Sequence, residues 1–198
     1  MIQKFKDQRI GVFIDVQNLY HSARNIYKTR VDFNQILKAA VGNRKIIRAF
    51  AYVIKTKTGE ERSFFEALTS IGIETRVKDL KEFYGGAKKA DWDVGLAVDA
   101  IRTSSNLDVI VLVSGDSDFV PVVEYLKNHG KRVEVVAFGK TSAHELIAIA
   151  DEFIDLDINA KRYLLKGKFY ERLNPATKVS HYLNNENNGQ KNIRHNDK

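Results

Sequence analysis

The stretch DVIVLVSGDSDF, from Asp108 to Phe119, joins the most apolar strand of this sequence to two carboxylates. Its apolar half shows no alternation, which is typical of a strand covered on both faces. Asp116 and Asp118 follow one residue apart, where two negative charges repel each other. A buried strand that ends in acids predicts an α/β fold with a polar site at the edge of its sheet.

Strands and helices alternate along the rest of the chain. The expected strands are Ile10–Ile14, Ile46–Ile54, Ile73–Val77, Leu80–Tyr84, Asp108–Val113, Val133–Phe138 and Phe153–Leu156. The expected helices are about Asn18–Tyr27, Asn34–Val41, Glu60–Ser70, Trp92–Arg102, Phe119–Asn128 and a last one reaching Ala150, with Ser142 and Glu145 as its capping box. This alternation predicts a mainly parallel sheet covered by helices on both faces.

Composition limits the class of protein. A chain of 198 residues suits one α/β domain, and the lack of cysteine excludes disulfides and thiolate metal sites. No apolar run approaches the roughly 20 residues that a membrane span needs. The first residues carry interleaved charges and lead directly into a strand, unlike a secretory signal. We therefore expect a cytoplasmic protein without a membrane partner.

The net charge of +7 lies mostly at the carboxyl end, where nine Lys/Arg and three Asp/Glu follow Ala160. We expect a domain over residues 1–158 and a helical extension over 159–174, packed either on the core or on a partner. Residues 175–198 are basic and Asn-rich, which predicts disorder. Such a tail is either a non-specific binder of phosphate backbones or a solubilising terminus.

Acidic residues from three segments fall at the same edge of the predicted sheet, because ligands of open parallel sheets bind beyond the carboxyl ends of the strands. Asp15 ends the first strand, and Asn18 follows three residues later. Asp93 lies at the start of a helix, and Asp116 and Asp118 follow the strand quoted above.

Each acid taken alone has a structural explanation as a helix cap or a partner of the helix dipole. Asp15 fits that explanation less well, because its helix is expected to begin only near Asn18. Taken together, the carboxylates would repel one another unless a cation lies among them. Oxygen ligands, with few histidines nearby, favour Mg²⁺ or Mn²⁺.

Three motifs in order, FIDVQN (Phe13–Asn18), KKADWDVGLAVDA (Lys88–Ala100) and VLVSGDSDFVPVV (Val111–Val123), resemble the NYN domains of the LabA-like group, within the PIN-like nuclease superfamily. GKRVEVV and FIDLD (Phe153–Asp157) extend the resemblance to nearly everything except the tail. It implies a three-layer, Rossmann-like α/β/α sandwich and metal-dependent hydrolysis of RNA. It also implies pairing of two copies as a possible assembly.

The resemblance assigns roles residue by residue. Asp15, Asp93, Asp116 and Asp118 match the catalytic metal ligands, and Asn18 matches the polar residue that holds the metal or the phosphate. Asp99, six residues beyond Asp93, lies on another helix face and is ranked with Ser114 and Ser117 as a supporting residue behind the ligands. Asp91 is interpreted as a helix N-cap.

Substrate binding is expected from basic residues around the same edge, namely Lys55, Lys57, Arg62, Lys88 and Lys89. Ordinary solvated surface is the alternative for each. Tyr20, Tyr84 and Trp92 are candidates for stacking on bases, with Trp92 equally suited to the core.

The expected reaction is attack by water that leaves a 5′-phosphate and a 3′-hydroxyl. A P-loop at Gly139 is rejected because Glu134 replaces its first glycine. An aspartyl-phosphate enzyme is disfavoured because Gln17 stands where a second aspartate is typical. The serious alternative is a non-catalytic RNA-binding or regulatory module on the same fold.

Overall fold

The structure is a computed structural model that describes residues 4–55, 62–79, 81–82, 88–89 and 91–165, with the backbone alone at 79, 81–82 and 88–89. Its strands are β1 (Arg9–Asp15), β2 (Lys45–Lys55), β3 (Glu74–Asp79), β4 (Lys81–Glu82), β5 (Lys88–Lys89), β6 (Val109–Val113), β7 (Arg132–Ala137) and β8 (Glu152–Asp155). Its α-helices are α1 (Val16–Tyr27), α2 (Phe33–Val41), α3 (Arg62–Ser70), α4 (Asp93–Thr103), α5 (Val120–Asn128), α6 (His144–Ile149) and α7 (Ala160–Tyr163).

Six strands form one sheet in the order β3-β2-β1-β6-β7-β8, and every neighbouring pair is parallel. From β1 the chain adds β2 and β3 on one side of the sheet and then crosses over to add β6, β7 and β8 on the other. The carboxyl ends of β1 and β6 therefore flank the switch point, where such folds bind ligands. Ile14 pairs with Val113, which brings Asp15 beside Ser114. The fold class predicted from the sequence is confirmed.

The sheet separates two apolar cores, which makes the domain three-layered. Ile10, Val12 and Ile14 of β1 pack with α1, α2 and α3, whereas Phe13 packs with α4, α5 and α6 on the other face. Burial on both faces explains why the central strands are apolar without alternation.

Two local predictions are wrong, and a third can be compared only in part. Helix α1 begins at Val16, earlier than expected, because the side chain of Asp15 caps it. Of the strand expected at Leu80–Tyr84, the structure describes only Lys81–Glu82, which form β4 and pair antiparallel with β5 outside the main sheet; Leu80 and residues 83–87 lie outside the described part. The capping box is absent from α6, because the Ser142 hydroxyl donates to the carbonyl of Phe138 at 2.8 Å.

The segment after β8 packs on the core as far as the structure describes it. Helix α7 ends at Tyr163, shorter than the helix expected there, and Leu164 forms an antiparallel bridge with Val31. Both Tyr163 and Leu164 belong to the core that contains α1 and α2. None of the helices in the described ranges combines the length and hydropathy needed to cross a membrane.

A buried ion pair lies toward the amino ends of the strands, opposite the acidic motifs, and joins Arg44, just before β2, to Glu134 of β7. Arg44 donates from both terminal nitrogens to the two carboxylate oxygens of Glu134 at 2.7 Å, and the Glu134 side chain is 0% exposed. Burial by itself would raise the pKa of Glu134, but hydrogen bonds from Arg44 and Arg132 hold it below its ordinary value.

Candidate active site

Asp15 connects the end of β1 to the start of α1 and to the loop after β6. One carboxylate oxygen accepts from the backbone N–H of Asn18 at 3.0 Å, and the other accepts from the Ser114 hydroxyl at 3.1 Å. Burial raises the pKa of Asp15, the charge of Asp116 adds to this, and the two hydrogen bonds oppose it. Asp15 is therefore a structural cap that also carries an unfavourably placed charge.

The loop after β6 is held by its own hydrogen bonds and by α1. The Ser114 hydroxyl accepts from the Asp116 N–H at 3.3 Å, and Asp116 caps a short 3₁₀ turn by accepting from the N–H of Asp118 at 3.0 Å. The Gly115 N–H donates to Oδ1 of Asn18 at 3.0 Å. Asp116 is therefore a cap, as the structural interpretation of the single acids predicted, and this hydrogen bond holds its carboxylate in place.

Gly115 allows this loop to pass close to the turn before α6. A Cβ added there would lie 2.9 Å from the Cα of Ser142 and 2.5 Å from its hydroxyl oxygen. Because a backbone atom is involved, a side chain could not be accommodated by rotation of Ser142 alone.

Asp93 lies in the first turn of α4 and faces the other acids. Burial raises its pKa to about 6, and the charges of Asp15, Asp116, Asp91 and Asp118 contribute in that order. The repulsion expected from the sequence is therefore present between side chains from three separate segments.

A pocket of about 320 Å³ opens between α1, the start of α4 and the loop after β6. The lining residues all carry polar side chains and are Asp15, Gln17, Asn18, His21, Ser22, Asn25, Asp91, Asp93, Asp116 and Thr141. Four of the five residues matched to catalytic positions line it. Asp118 does not, and acts on Asp93 through its charge.

The donor chemistry of this pocket suits a hard cation, since carboxylate and amide oxygens dominate it and two of the carboxylates have raised pKa values. As they stand, however, no three Asp, Glu, His or Cys side chains in the described ranges share a metal position. The residues therefore fit Mg²⁺ or Mn²⁺ in chemistry, and ligation by three of them requires side-chain rearrangement.

The residues predicted to support or flank the metal ligands lie in different places. Asp99 is hydrogen-bonded to the hydroxyl of Tyr52 at 3.0 Å and lies 3.5 Å from Arg76, on a different face of α4 from Asp93. The N-cap prediction for Asp91 is wrong, because Trp92 holds that position. Asp91 instead lines the pocket. Ser114 is fully buried beside Asp15. Ser117 starts the 3₁₀ turn that Asp116 caps.

The aromatic candidates divide between core and surface. The indole N–H of Trp92 donates to the carbonyl of Val53 at 2.9 Å, and its ring packs edge-on against Tyr52, so it anchors α4 to β2. Tyr20 is exposed on α1 and contacts the ring of His21. Tyr84 lies outside the described residues.

Of the basic candidates, Lys55 and Arg62 have side chains that the structure describes, and neither lines the acidic pocket. Lys55 is exposed at the end of β2, and Arg62 pairs with Glu66 on the surface of α3 at 2.9 Å. Lys88 and Lys89 form β5, of which the backbone alone is described, and Lys57 lies outside the described ranges.

Sequence reasoning missed the wall of the pocket opposite α4. His21, Ser22 and Asn25 follow Asn18 by three, four and seven residues, which is the spacing of one helical face. That spacing was a usable signal. Thr141 joins the wall only through the tertiary fold, where its hydroxyl donates to that of Ser22 at 2.8 Å.

A six-stranded parallel sheet with an acidic pocket at its switch point defines an α/β domain whose candidate site lies at the carboxyl ends of β1 and β6. The family model described as "NYN domain" matches residues 9–157, so the chain belongs to the NYN domain family. The family implies a PIN-like nuclease fold and a hydrolase of the nuclease type, and NYN nucleases act on RNA.

Individual relatives agree with this membership. "Low amplitude and bright protein LabA" of Synechococcus elongatus is 30% identical over 161 residues, 77% of this chain and 86% of the relative. An uncharacterized protein of Methanocaldococcus jannaschii is 26% identical over 152 residues, 76% of this chain and 56% of the relative. A crystal structure of a protein of unknown function from Vibrio parahaemolyticus is 33% identical, with a TM-score of 0.74 over 83% of this chain and 100% of that one. The resemblance to the LabA-like group is confirmed.

Proposed function

We propose that this protein is a Mg²⁺- or Mn²⁺-dependent endoribonuclease that hydrolyses RNA phosphodiester bonds in the acidic pocket. The observation that carries the proposal is that Asp15, Asp93 and Asp116, from three separate segments, line one pocket, where burial and the neighbouring carboxylates raise the pKa of Asp93. Such a concentration of negative charge destabilises the folded protein unless a cation offsets it.

Asp15, Asp93, Asp116 and Asp118 would hold the metal. When bound, the metal polarises the phosphate and lowers the pKa of a bound water. One of these carboxylates would orient the attacking water and accept its proton. Water oxygen bonds to phosphorus, the bond from phosphorus to the 3′ oxygen breaks, and that oxygen takes a proton from solvent. The products carry a 5′-phosphate and a 3′-hydroxyl.

Asn18 would bind the phosphate directly. Its Oδ1 accepts from the Gly115 N–H, so its NH₂ group is left as the donor toward the pocket that Asn18 lines. A donor meets a phosphate oxygen, whereas a metal needs the amide oxygen. The hydrogen bond to Gly115 therefore favours phosphate binding over metal binding as the role of Asn18.

The test is cleavage of a 5′-labelled single-stranded RNA in Mg²⁺, Mn²⁺ or EDTA by wild type, Asp116→Asn and Asp93→Asn. Asp7→Asn, at an exposed position near the amino end, is the matched control. We expect metal-dependent cleavage by wild type and the control, and its loss in the two pocket variants. Cleavage that persists undiminished in both pocket variants does not arise in the acidic pocket and overturns the proposal, and products with a 2′,3′-cyclic phosphate contradict the reaction.

A non-catalytic RNA-binding module is the second candidate. It is favoured by the lack of three side chains that share a metal position among the described residues. RNA binding by wild type and Asp116→Asn alike, without metal-dependent cleavage by either, would select this function.

A further inference from the structure

We propose that the face of β2 and β3 beside α4 binds the phosphate backbone of the RNA segment that extends out of the acidic pocket. Its six charged residues are called here the β3 strip and are Arg48, Glu74, Arg76, Lys78, Asp99 and Arg102. The identity of the polymer as RNA rests on the proposed function. The arrangement of the cations does not depend on it.

The β3 strip exists because charged residues replace apolar ones at the edge of the sheet. Phe50 and Tyr52 of β2 are buried in the core that contains α4. On β3, the edge strand, their partners in register are Glu74 and Arg76, and Lys78 follows two residues later on the same face. The Arg76 side chain is 43% exposed, so this face of the edge strand meets solvent.

Rings and carboxylates hold the guanidinium groups of the β3 strip in place. The central guanidinium carbons of Arg48 and Arg76 lie 4.6 and 4.9 Å from the ring centre of Phe50. Arg48 also donates to both carboxylate oxygens of Glu74, and Arg76 lies 3.5 Å from a carboxylate oxygen of Asp99. A guanidinium that is already fixed loses little side-chain entropy when it binds a phosphate.

The β3 strip carries an excess of positive charge. It holds three arginines and one lysine against one glutamate and one aspartate, a balance of +2. Arg76 and Arg102 lie beside the same carboxylate, that of Asp99, at 3.5 and 4.0 Å. Charges on an edge strand also protect it from pairing with another chain, but that purpose requires neither fixed side chains nor an excess of one sign.

The β3 strip begins where the acidic pocket ends. The Lys78 ammonium donates to the carbonyl of Asp91 at 2.8 Å and lies 5.4 Å from the ring centre of Trp92. Because Asp91 lines the pocket, the two surfaces are continuous. The four residues from Lys78 back to Glu74 span ~13 Å at ~3.3 Å each, which is the rise of about four phosphates in a stacked strand.

A polyanion needs such a surface because the pocket itself is acidic. Asp15, Asp93 and Asp116 repel phosphates that no metal neutralises, so attraction for the rest of an RNA strand has to come from outside the pocket. Phosphate contacts supply most of the affinity when binding does not depend on sequence. The β3 strip supplies them at the rim, away from the carboxylates proposed to hold the metal.

The test is equilibrium binding of a fluorescein-labelled oligouridylate of about fifteen nucleotides, long enough to cover pocket and strip, followed by anisotropy in EDTA at several salt concentrations. Lys78→Gln is compared with Lys131→Gln, which removes an ammonium that likewise donates to a backbone carbonyl, just before β7. Arg76→Gln is compared with Arg162→Gln, which removes a guanidinium 5.8 Å from the ring centre of Tyr163 on the other face of the sheet. A labelled oligoglutamate of equal charge is the second probe.

We expect Lys78→Gln and Arg76→Gln each to weaken RNA binding about three- to tenfold and to reduce the slope of log K against log salt by about 0.7, the value for one phosphate contact to a single strand. Arg76→Lys keeps the charge and should retain the slope. Both controls should bind as the parent does. Oligoglutamate should bind more weakly than RNA, because it lacks bases that stack on guanidinium planes.

The inference is overturned if Lys78→Gln binds RNA as Lys131→Gln does, or if the parent binds no RNA. It is also overturned if oligoglutamate binds as tightly as RNA and is weakened by the same variants, which would make the β3 strip a site for acidic peptides. Unchanged melting temperatures show that the variants fold, and Lys78→Gln, at an exposed position, carries the test if Arg76→Gln does not fold.

Failure of this inference is separable from failure of the proposed function. Metal-dependent cleavage with unchanged binding by the strip variants would retain the nuclease and remove the β3 strip. RNA binding that depends on the strip, without cleavage by wild type, would retain the β3 strip on a non-catalytic module.

Discussion

Replacing Asp93 by asparagine should stabilise the protein at neutral pH in the absence of metal. Burial, followed by the charges of Asp15 and Asp116, raises the pKa of Asp93 to about 6 from an ordinary 3.8. An acid with a raised pKa binds its proton more tightly in the folded state than in the unfolded state. The stability that it contributes is therefore fully present below about pH 4 and is lost as the pH rises through 6.

The magnitude follows from that difference in pKa. About two pKa units correspond to about 3 kcal/mol. Solvent reaches part of the Asp93 side chain and screens the neighbouring charges, so we take about half, or ~1.5 kcal/mol. A negative charge in the first turn of α4 is favourable by ~0.5 kcal/mol, which Asp93→Asn loses. The net gain is about 1 kcal/mol, or a rise in melting temperature of about 2–4 °C.

Thermal unfolding followed by circular dichroism at pH 7.5 and pH 4 in EDTA measures this effect, with Asp7→Asn as the matched control. We expect Asp93→Asn to melt above wild type at pH 7.5 and to lose that advantage at pH 4, where Asp93 is protonated. Mg²⁺ should narrow the difference at pH 7.5, because it binds the wild-type pocket more tightly. A variant that melts at or below wild type at pH 7.5, or whose advantage is unchanged at pH 4, would refute the electrostatic reasoning.

Three further predictions concern the frame and the metal. Arg44→Met leaves Glu134 buried without its main partner and should lower the free energy of unfolding in urea by about 3–5 kcal/mol; a loss below 1 kcal/mol would mean that Arg132 compensates. Gly115→Ala places a Cβ against Ser142 and should lower the free energy of unfolding by about 1–3 kcal/mol in the same assay. The same variant should also lose RNA cleavage. Millimolar Mg²⁺ or Mn²⁺ should raise the melting temperature of wild type and should have less effect on Asp116→Asn, and an equal rise in both would place the metal elsewhere.

Local pattern was a good guide to the elements and a poor guide to their ends. The apolar run of β6 was readable because a strand buried on both faces needs apolar residues throughout. Helix starts were misjudged at Asp15 and Ser142, because a capping side chain has several possible partners and the sequence does not say which one it uses. Asp15 bonds to the N–H of Asn18 and starts α1 early, whereas Ser142 bonds backwards to Phe138.

The sequence by itself determined the class of fold and the chemistry of the site, since apolar periodicity selects a parallel sheet and aspartates after two of its strands select an acidic edge. Only the tertiary structure decided that β1 and β6 are neighbours, which brings Asp15 beside Ser114 from 99 residues away. It also decided that Asp99 is hydrogen-bonded to the Tyr52 hydroxyl and that Thr141 is hydrogen-bonded to Ser22 of α1. The physical reason is that spacing along a chain fixes which residues share a helix face or strand end. Strand order and helix docking depend on how all the apolar faces are buried together.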